Sequence, residues 1–166
     1  MLLIVGVAVF GLMLVEARRA AKNEEVQRRR GGVEAPGDVY KMMRLAYPGA
    51  FLGMLIEGAS RGTPGPQMLA AGAALFACAK ALKWWAIVTL GHCWTFRVIV
   101  VPGTSLVATG PYRWLRHPNY CGVVGELVGV ALLTGAAVTG PPAIVLFLGL
   151  LARRIAIESR TLAAAR

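Results

Sequence analysis

Residues 120–157 read YCGVVGELVGVALLTGAAV, TGPP, AIVLFLGLLARRIAI: two apolar runs joined by a short turn. As a helix the first run, Tyr120–Val138, would reach about 28 Å, close to the ~30 Å hydrocarbon core of a bilayer. The turn at Thr139–Pro142 makes the two runs a tight helical hairpin, with the second from Ala143 to about Ile157. Gly122, Gly125, Gly129 and Gly135 in the first run permit close helix approach. Such a hairpin predicts an all-α, polytopic transmembrane bundle.

Composition points the same way. Of 166 residues 57% are apolar and only 16% charged, whereas a soluble domain carries about a quarter charged residues. The apolar content excludes a disordered polycation and argues against an ordinary soluble enzyme. The formal charge of +10 does not mark a nucleic-acid binder, because no finger, P-loop or aromatic RNA-binding motif accompanies it. Cys78, Cys93 and Cys121 are odd in number, form no C-x-x-C pair and sit in apolar stretches, so they are expected to be buried small hydrophobes.

Three more apolar segments precede the hairpin. Met1–Val15 lacks basic residues ahead of it and a small-x-small cleavage site after it, which favours a retained span over a cleaved leader. Arg18–Arg30 is polar with few breakers and is expected to form an interfacial helix, broken at Gly31-Gly32 and Pro36-Gly37. Met42–Glu57 is the second span, with Pro48 a potential kink, and Arg61–Pro66 a tight turn. Gln67 to about Trp94 is a third span of about 42 Å, longer than the hydrocarbon core. Lys80 and Lys83 fall past its midpoint, so either its second half leaves the lipid and packs into a cytoplasmic portion or the two lysines snorkel.

The distribution of Lys and Arg predicts orientation. The loop after the first span carries Arg18, Arg19, Lys22, Arg28, Arg29, Arg30, Lys41 and Arg44; the next carries only Arg61. The third carries Arg97, Arg113 and Arg116, the hairpin turn none, and the final stretch Arg153, Arg154, Arg160 and Arg166. This alternation fits five spans with the N-terminus outside and the C-terminus in the cytoplasm.

Chemistry-bearing residues gather at Val101–Glu126, VPGTSLVATGPYRWLRHPNYCGVVGE. Arg113, Arg116, His117, Asn119 and Tyr120 crowd where the fourth span begins, and Pro118 suits the first turn of a helix. The free backbone N–H groups of that helix start suit an anion such as a carboxylate. The plainer reading makes Arg113 and Arg116 positive-inside anchors and Tyr112, Trp114 and Tyr120 an aromatic belt. Glu126, two turns into the span, should face the bundle interior and find a donor, either as a site residue or as a group that pairs helices. Arg154 and Glu158 share a helical face, as an intrahelical pair or as one side of a polar chamber facing His117. Glu57, Lys80 and Lys83 are weaker candidates. His92 beside Cys93 lacks a third ligand at suitable spacing, so no metal is expected.

GPYRWLRHPNYCGVVGE at Gly110–Glu126, preceded by WAIVTLGHCWTFRVIVVPG at Trp85–Gly103, resembles the isoprenylcysteine carboxyl methyltransferase family, including its bacterial members of wider substrate range. ARRAAKNEE at Ala17–Glu25, a Tyr-containing approach to the second span and Glu57 at its end extend the resemblance over most of the chain. The resemblance implies one membrane domain over 1–166, with a core around residues 85–162 that binds S-adenosylmethionine (SAM) on the cytosolic side. It implies that His117, Pro118 and Tyr120 line the cofactor site, with Arg113, Arg116, Asn119 and Glu126 contributing. The family's terminal R-I-x-x-E-E pattern reads here Arg154-Ile155-Ala156-Ile157-Glu158-Ser159, so Ser159 replaces the second acid. Arg154 and Glu158 are then the catalytic candidates: Arg154 for a carboxylate acceptor, and Glu158 or His117 as base for a phenol or enol. The implied function is SAM-dependent O-methylation of a lipophilic small molecule, such as an alkylated polyketide or prenylated acid, that comes from the bilayer of a bacterial inner membrane. Protein isoprenylcysteine carboxyl methylation is the alternative enzyme, and a non-enzymatic scaffold, a small transporter or a degenerate family member the alternative class.

Overall fold

The computed structural model describes residues 1–104 and 106–164; Ser105 of the Val101–Glu126 stretch and Arg166 of the basic C-terminal stretch lie outside the described residues. Among these, five α-helices run in order as α1 (Leu2–Arg29), α2 (Tyr40–Arg61), α3 (Pro66–Leu90), α4 (Pro118–Thr134) and α5 (Gly140–Ala164). Short 3-10 turns follow at Gly91–Cys93 and Gly110–Arg113. One small ladder is added to the expected all-α plan: β1 (Val33–Glu34) pairs antiparallel with β2 (Ile99–Val100), Val33 opposite Val100 and Glu34 opposite Ile99.

Several sequence expectations change in detail. Arg18–Arg30 does not form a separate interfacial helix, because the first apolar run continues through it to Arg29 as one helix. No residue between Leu2 and Arg29 breaks the hydrogen-bond ladder, and buried partners fix its polar half. Pro48 is accommodated inside α2, which stays helical from Tyr40 to Arg61. The fourth run stops at Thr134, four residues early. There Gly135 takes a left-handed conformation (φ 66°, ψ 27°) that ends the helix at little steric cost. Cys78, Cys93 and Cys121 are all exposed, not buried, because each lies on an outward helix or turn surface.

The packing is inverted relative to a water-soluble bundle. Leu3, Ile4, Leu45 and Val145 are between 68% and 80% exposed, while Glu16, Lys80, Lys83, Glu126 and Arg154 are buried. A surface of Leu, Ile and Val around an interior holding charges is the arrangement a lipid solvent favours. Pro66–Cys93 and Gly140–Ala163 are long and apolar enough to cross a membrane, and Pro118–Thr134 is apolar but shorter.

The lysines of α3 do not snorkel. Lys80 Nζ lies 2.8 Å from Glu16 Oε1 of α1 and 3.0 Å from Glu126 Oε2 of α4. Lys83 Nζ lies 2.7 Å from Glu16 Oε2 and 3.2 Å from Glu126 Oε1. Each cation thus touches both anions, and each anion both cations. Tyr47 of α2 donates its hydroxyl to Glu126 Oε2 at 2.5 Å. This neutral square joins four helices in their interior.

The square sits on a seam where α3 and α4 run antiparallel in close contact. A Cβ at Gly122 would lie 2.8 Å from Lys83 Cβ, and one at Gly129 would lie 2.9 Å from the Phe76 backbone nitrogen. Gly125 meets Ala79 in the same way. Three of the four glycines therefore bring α4 against α3 rather than against α5. Phe51, Met54, Leu127, Val130 and Phe147 fill the apolar core beside this seam.

Two variants test this packing. Glu126→Gln leaves the square with an excess positive charge and is expected to lower stability by about 3–5 kcal/mol. Adding Lys83→Gln restores neutrality and should recover most of that loss in a detergent thermal melt. Gly129→Val drives a branched side chain into the α3 backbone and should lower stability by about 1–3 kcal/mol.

Candidate functional site

The two ends of the bundle differ in charge. At one end Gly58 approaches Thr134 and Leu2, and Gly135 approaches Pro64. Glu57 accepts the backbone N–H groups of Val138 and Thr139, at 2.9 and 2.7 Å, and pairs with Arg61 at 2.7 Å. Glu57 is thereby a tie between the two interhelical turns. At the other end stand exposed Arg18, Lys22, Arg28, Arg29, Arg30, Lys41, Arg44, Arg113, Arg116, Arg153 and Arg160.

Within that basic end α4 begins at Pro118, whose missing N–H removes one orphan donor from the first turn. His117 is the residue before the helix and makes no side-chain cap. Its ring stacks on Tyr120, with centroids 5.3 Å apart and planes 13° apart. Tyr120 projects towards α5, where it links the two residues that share a helical face. Its hydroxyl donates to Glu158 Oε2 at 2.9 Å and accepts from Arg154 Nε at 2.9 Å. Arg154 and Glu158 are therefore bridged by a phenol, and His117 Nδ1 stands 4.0 Å from the same Glu158 oxygen.

Arg154 is anchored on its far side as well. Nη1 donates to Asp38 Oδ1 at 3.1 Å and Nη2 to the Phe96 carbonyl at 2.6 Å. Asp38 also accepts the backbone N–H of Tyr40 at 3.1 Å and that of Val98 at 2.8 Å. It lines an open cleft of about 460 Å³ together with Glu34, Gly37, Tyr40, Lys41 and Arg97. The segment that leads to Phe96 is held in turn by α1. Asn23 Nδ2 donates to the carbonyls of Gly91 and Trp94 at 3.0 and 2.7 Å, and Gln27 Nε2 donates to that of His92 at 2.8 Å. Trp94 then donates its indole N–H to Asn119 Oδ1 at 3.2 Å.

Arg97 completes this collar. It contacts Glu34 at 2.6 Å and Glu24 at 3.5 Å, and stacks over Tyr40 at 4.9 Å. Burial raises the Glu34 carboxyl, but hydrogen bonds from Arg97 and Arg28 outweigh it and hold the group below its usual range. Burial, and then the Glu158 carboxylate, hold the Tyr112 phenol well above its usual value, so it stays protonated beside Glu158.

The structure brings His117, Pro118, Asn119, Tyr120, Arg154 and Glu158 together. Arg113 and Arg116 stand exposed on the preceding turn, with Arg113 5.9 Å from the Trp114 ring centroid. Glu126 is not brought to this group, because its carboxylate is engaged by Lys80, Lys83 and Tyr47. Ser159 is exposed. Asp38, Asn23, Gln27 and Tyr112 were missed as contributors. The legible signal for the α1 residues was the spacing of Glu16, Asn23 and Gln27, which puts three polar side chains on one helical face. Asp38 lies in a Pro/Gly loop, whose periodicity carries no such signal.

Asn23→Leu removes the donor that holds the Gly91 and Trp94 carbonyls. Amide exchange over residues 91–98 should then accelerate at least about tenfold, with the α3–α4 seam unchanged. An unchanged rate over 91–98 contradicts this role for Asn23.

Against this geometry, comparison with known proteins is direct. The model of the isoprenylcysteine carboxyl methyltransferase (ICMT) family matches residues 72–164, a range that holds His117, Tyr120, Arg154 and Glu158 but not Asn23 or Asp38. The uncharacterised protein YpbQ of Bacillus subtilis is 31% identical over 120 residues, covering 72% of this chain and 71% of that protein. An uncharacterised protein of Haemophilus influenzae is 25% identical over 118 residues, covering 70% of this chain and 69% of its own length. No solved structure matches significantly.

Proposed function

The chain belongs to the isoprenylcysteine carboxyl methyltransferase family, and from that membership we propose a SAM-dependent O-methyltransferase that acts on a lipophilic small molecule. The observation that carries the reading is the Arg154–Tyr120–Glu158–His117 constellation at the start of α4. It lies inside the family-matched range and at the basic end of an inverted, lipid-suited bundle.

The family is one of membrane methyltransferases that generally use SAM. The residues present fit that ligand. SAM has a carboxylate, for which exposed Arg113 and Arg116 provide cations and the start of α4 offers the backbone N–H of Asn119. It also has a flat base and a positive centre, for which the stacked His117–Tyr120 pair and the Glu158 carboxylate are complementary. When bound, the cofactor supplies an electrophilic methyl group.

The chain's own residues do the rest. Tyr120 fixes Glu158 relative to Arg154, so that the carboxylate points at one place rather than sampling several. Positioning of an oxygen nucleophile and exclusion of water are the terms that accelerate such an in-line displacement. A phenol or enol acceptor loses its proton to Glu158 or His117, whereas a carboxylate acceptor needs none removed.

The charge separation between the two ends supports five spans with the N-terminus outside and the site facing the cytoplasm of a bacterial inner membrane. The cofactor then arrives from water, and the acceptor sideways from the bilayer. The core that binds cofactor and acceptor is placed at residues 85–162. Protein isoprenylcysteine methylation remains the second enzymatic reading, because the family name carries that substrate.

Titration calorimetry with SAM on the detergent-solubilised protein tests the proposal. Wild type should bind, and His117→Ala should weaken binding at least about tenfold, or 1.4 kcal/mol. Absence of binding to folded wild type contradicts the enzymatic reading and favours a scaffold.

A further inference from the structure

We propose that Asp38 sets the class of acceptor: by neutralising Arg154 it makes the site select an uncharged, acidic hydroxyl, a phenol or an enol, over a carboxylate. This inference rests on the methyltransferase reading above and sharpens its substrate.

A carboxylate acceptor would need a free cation beside the reacting oxygen, and Arg154 is the residue placed to supply one. It is not free. Its side chain is 7% exposed, and that of Asp38 is 4% exposed, with 3.1 Å between Nη1 and Oδ1. All three guanidinium nitrogens are committed: Nε to the Tyr120 hydroxyl, Nη1 to Asp38 and Nη2 to the Phe96 carbonyl. The pair is neutral, largely buried and locked on both sides by backbone.

The accessible group at the same spot is an anion. Glu158 is 30% exposed, and of its contacts Tyr120 is a neutral donor while His117 stands off at 4.0 Å. Tyr112, the other group close to Glu158, is held as a protonated phenol. An incoming carboxylate would meet Glu158 with no unpaired buried cation to offset the repulsion. An incoming hydroxyl would meet an acceptor for its proton. Arg113 and Arg116, the cations nearest in sequence to His117, stand out in solvent on the turn before α4.

The reaction balances on this assignment. The acceptor O–H bond breaks, with its proton passing to the Glu158 carboxylate and later to water. The oxygen's electron pair forms the new O–CH3 bond. The sulfonium S–CH3 bond breaks, with its electrons remaining on sulfur, so one methyl is transferred and one proton released. A carboxylate acceptor would leave Glu158 without a proton to take.

The test uses the full chain in proteoliposomes with methyl-labelled SAM and two acceptors in competition, meta-pentadecylphenol and meta-pentadecylbenzoic acid, which share one tail. Wild type should label the phenol at least about tenfold faster than the acid. Asp38→Asn keeps one acceptor oxygen for Arg154 and Tyr40, gives up the one that takes the Val98 N–H and loses the charge, and should shift the labelling ratio at least about tenfold towards the acid. Asp38→Ser is a second neutral variant should the first not fold. Glu158→Gln should depress phenol labelling far more than acid labelling, a split that a merely structural role does not produce. Preference of wild type for the acid, or an unchanged ratio in folded Asp38 variants, overturns the proposal and leaves the methyltransferase reading standing. Labelling of neither acceptor by wild type that fails to bind SAM overturns both.

Discussion

Four charges that cannot be left alone organise this protein. Glu16, Lys80, Lys83 and Glu126 come from three helices and close a square in which every contact is between opposite signs. In a low-dielectric interior an unpaired member would be far costlier than an unpaired surface charge, so the helices are constrained to one mutual arrangement. The small residues of the α3–α4 seam allow that arrangement: with Gly122 or Gly125 enlarged, Lys80 and Lys83 would be moved away from Glu126. The square holds α1 at its midpoint, and α1 then carries Asn23 and Gln27 to the basic end.

From there the site is assembled by polar contacts in sequence. Asn23 and Gln27 fix the carbonyls of residues 91–94. The segment that follows offers the Phe96 carbonyl to Arg154 and the Val98 amide to Asp38. Arg154 orients Tyr120, and Tyr120 orients Glu158. The polar cluster around Tyr120 thus rests on the N-terminal third of the chain, although the family-matched residues begin only at Gly72. The membrane contributes by tolerating an apolar exterior and leaving the interior to these charges.

Much of this was legible because lipid imposes strong rules on sequence. The long apolar runs place α2 and α3 to within a few residues, whereas α5 continues past Ile157 to Ala164, and the Lys/Arg alternation anticipates the spatial split between a basic and a nearly uncharged end. The motif at Gly110–Glu126, with Arg154 and Glu158 on one face, anticipates the polar cluster around Tyr120. What escaped was tertiary. Lys80 and Lys83 read equally well as snorkelling side chains, because the anions that pair with them lie 64 and 43 residues away. Asp38 sits in a loop whose composition gave no reason to join it to Arg154. The exposed cysteines show the converse: apolar neighbours in sequence do not place a residue inside when the solvent is lipid. Arg18–Arg29 continues α1 because its partners, not its own polarity, decide where the helix lies.

The most direct test of the central claim is transfer of isotopically labelled methyl from SAM into membranes that contain the protein, followed by organic extraction. The account predicts a labelled, extractable lipid with wild type that is absent with Glu158→Ala, and mass analysis of that lipid identifies the acceptor. Folded wild-type protein that labels no free lipid and no prenylcysteine acceptor would contradict it, and the constellation at Tyr120 would then be a relic of the fold.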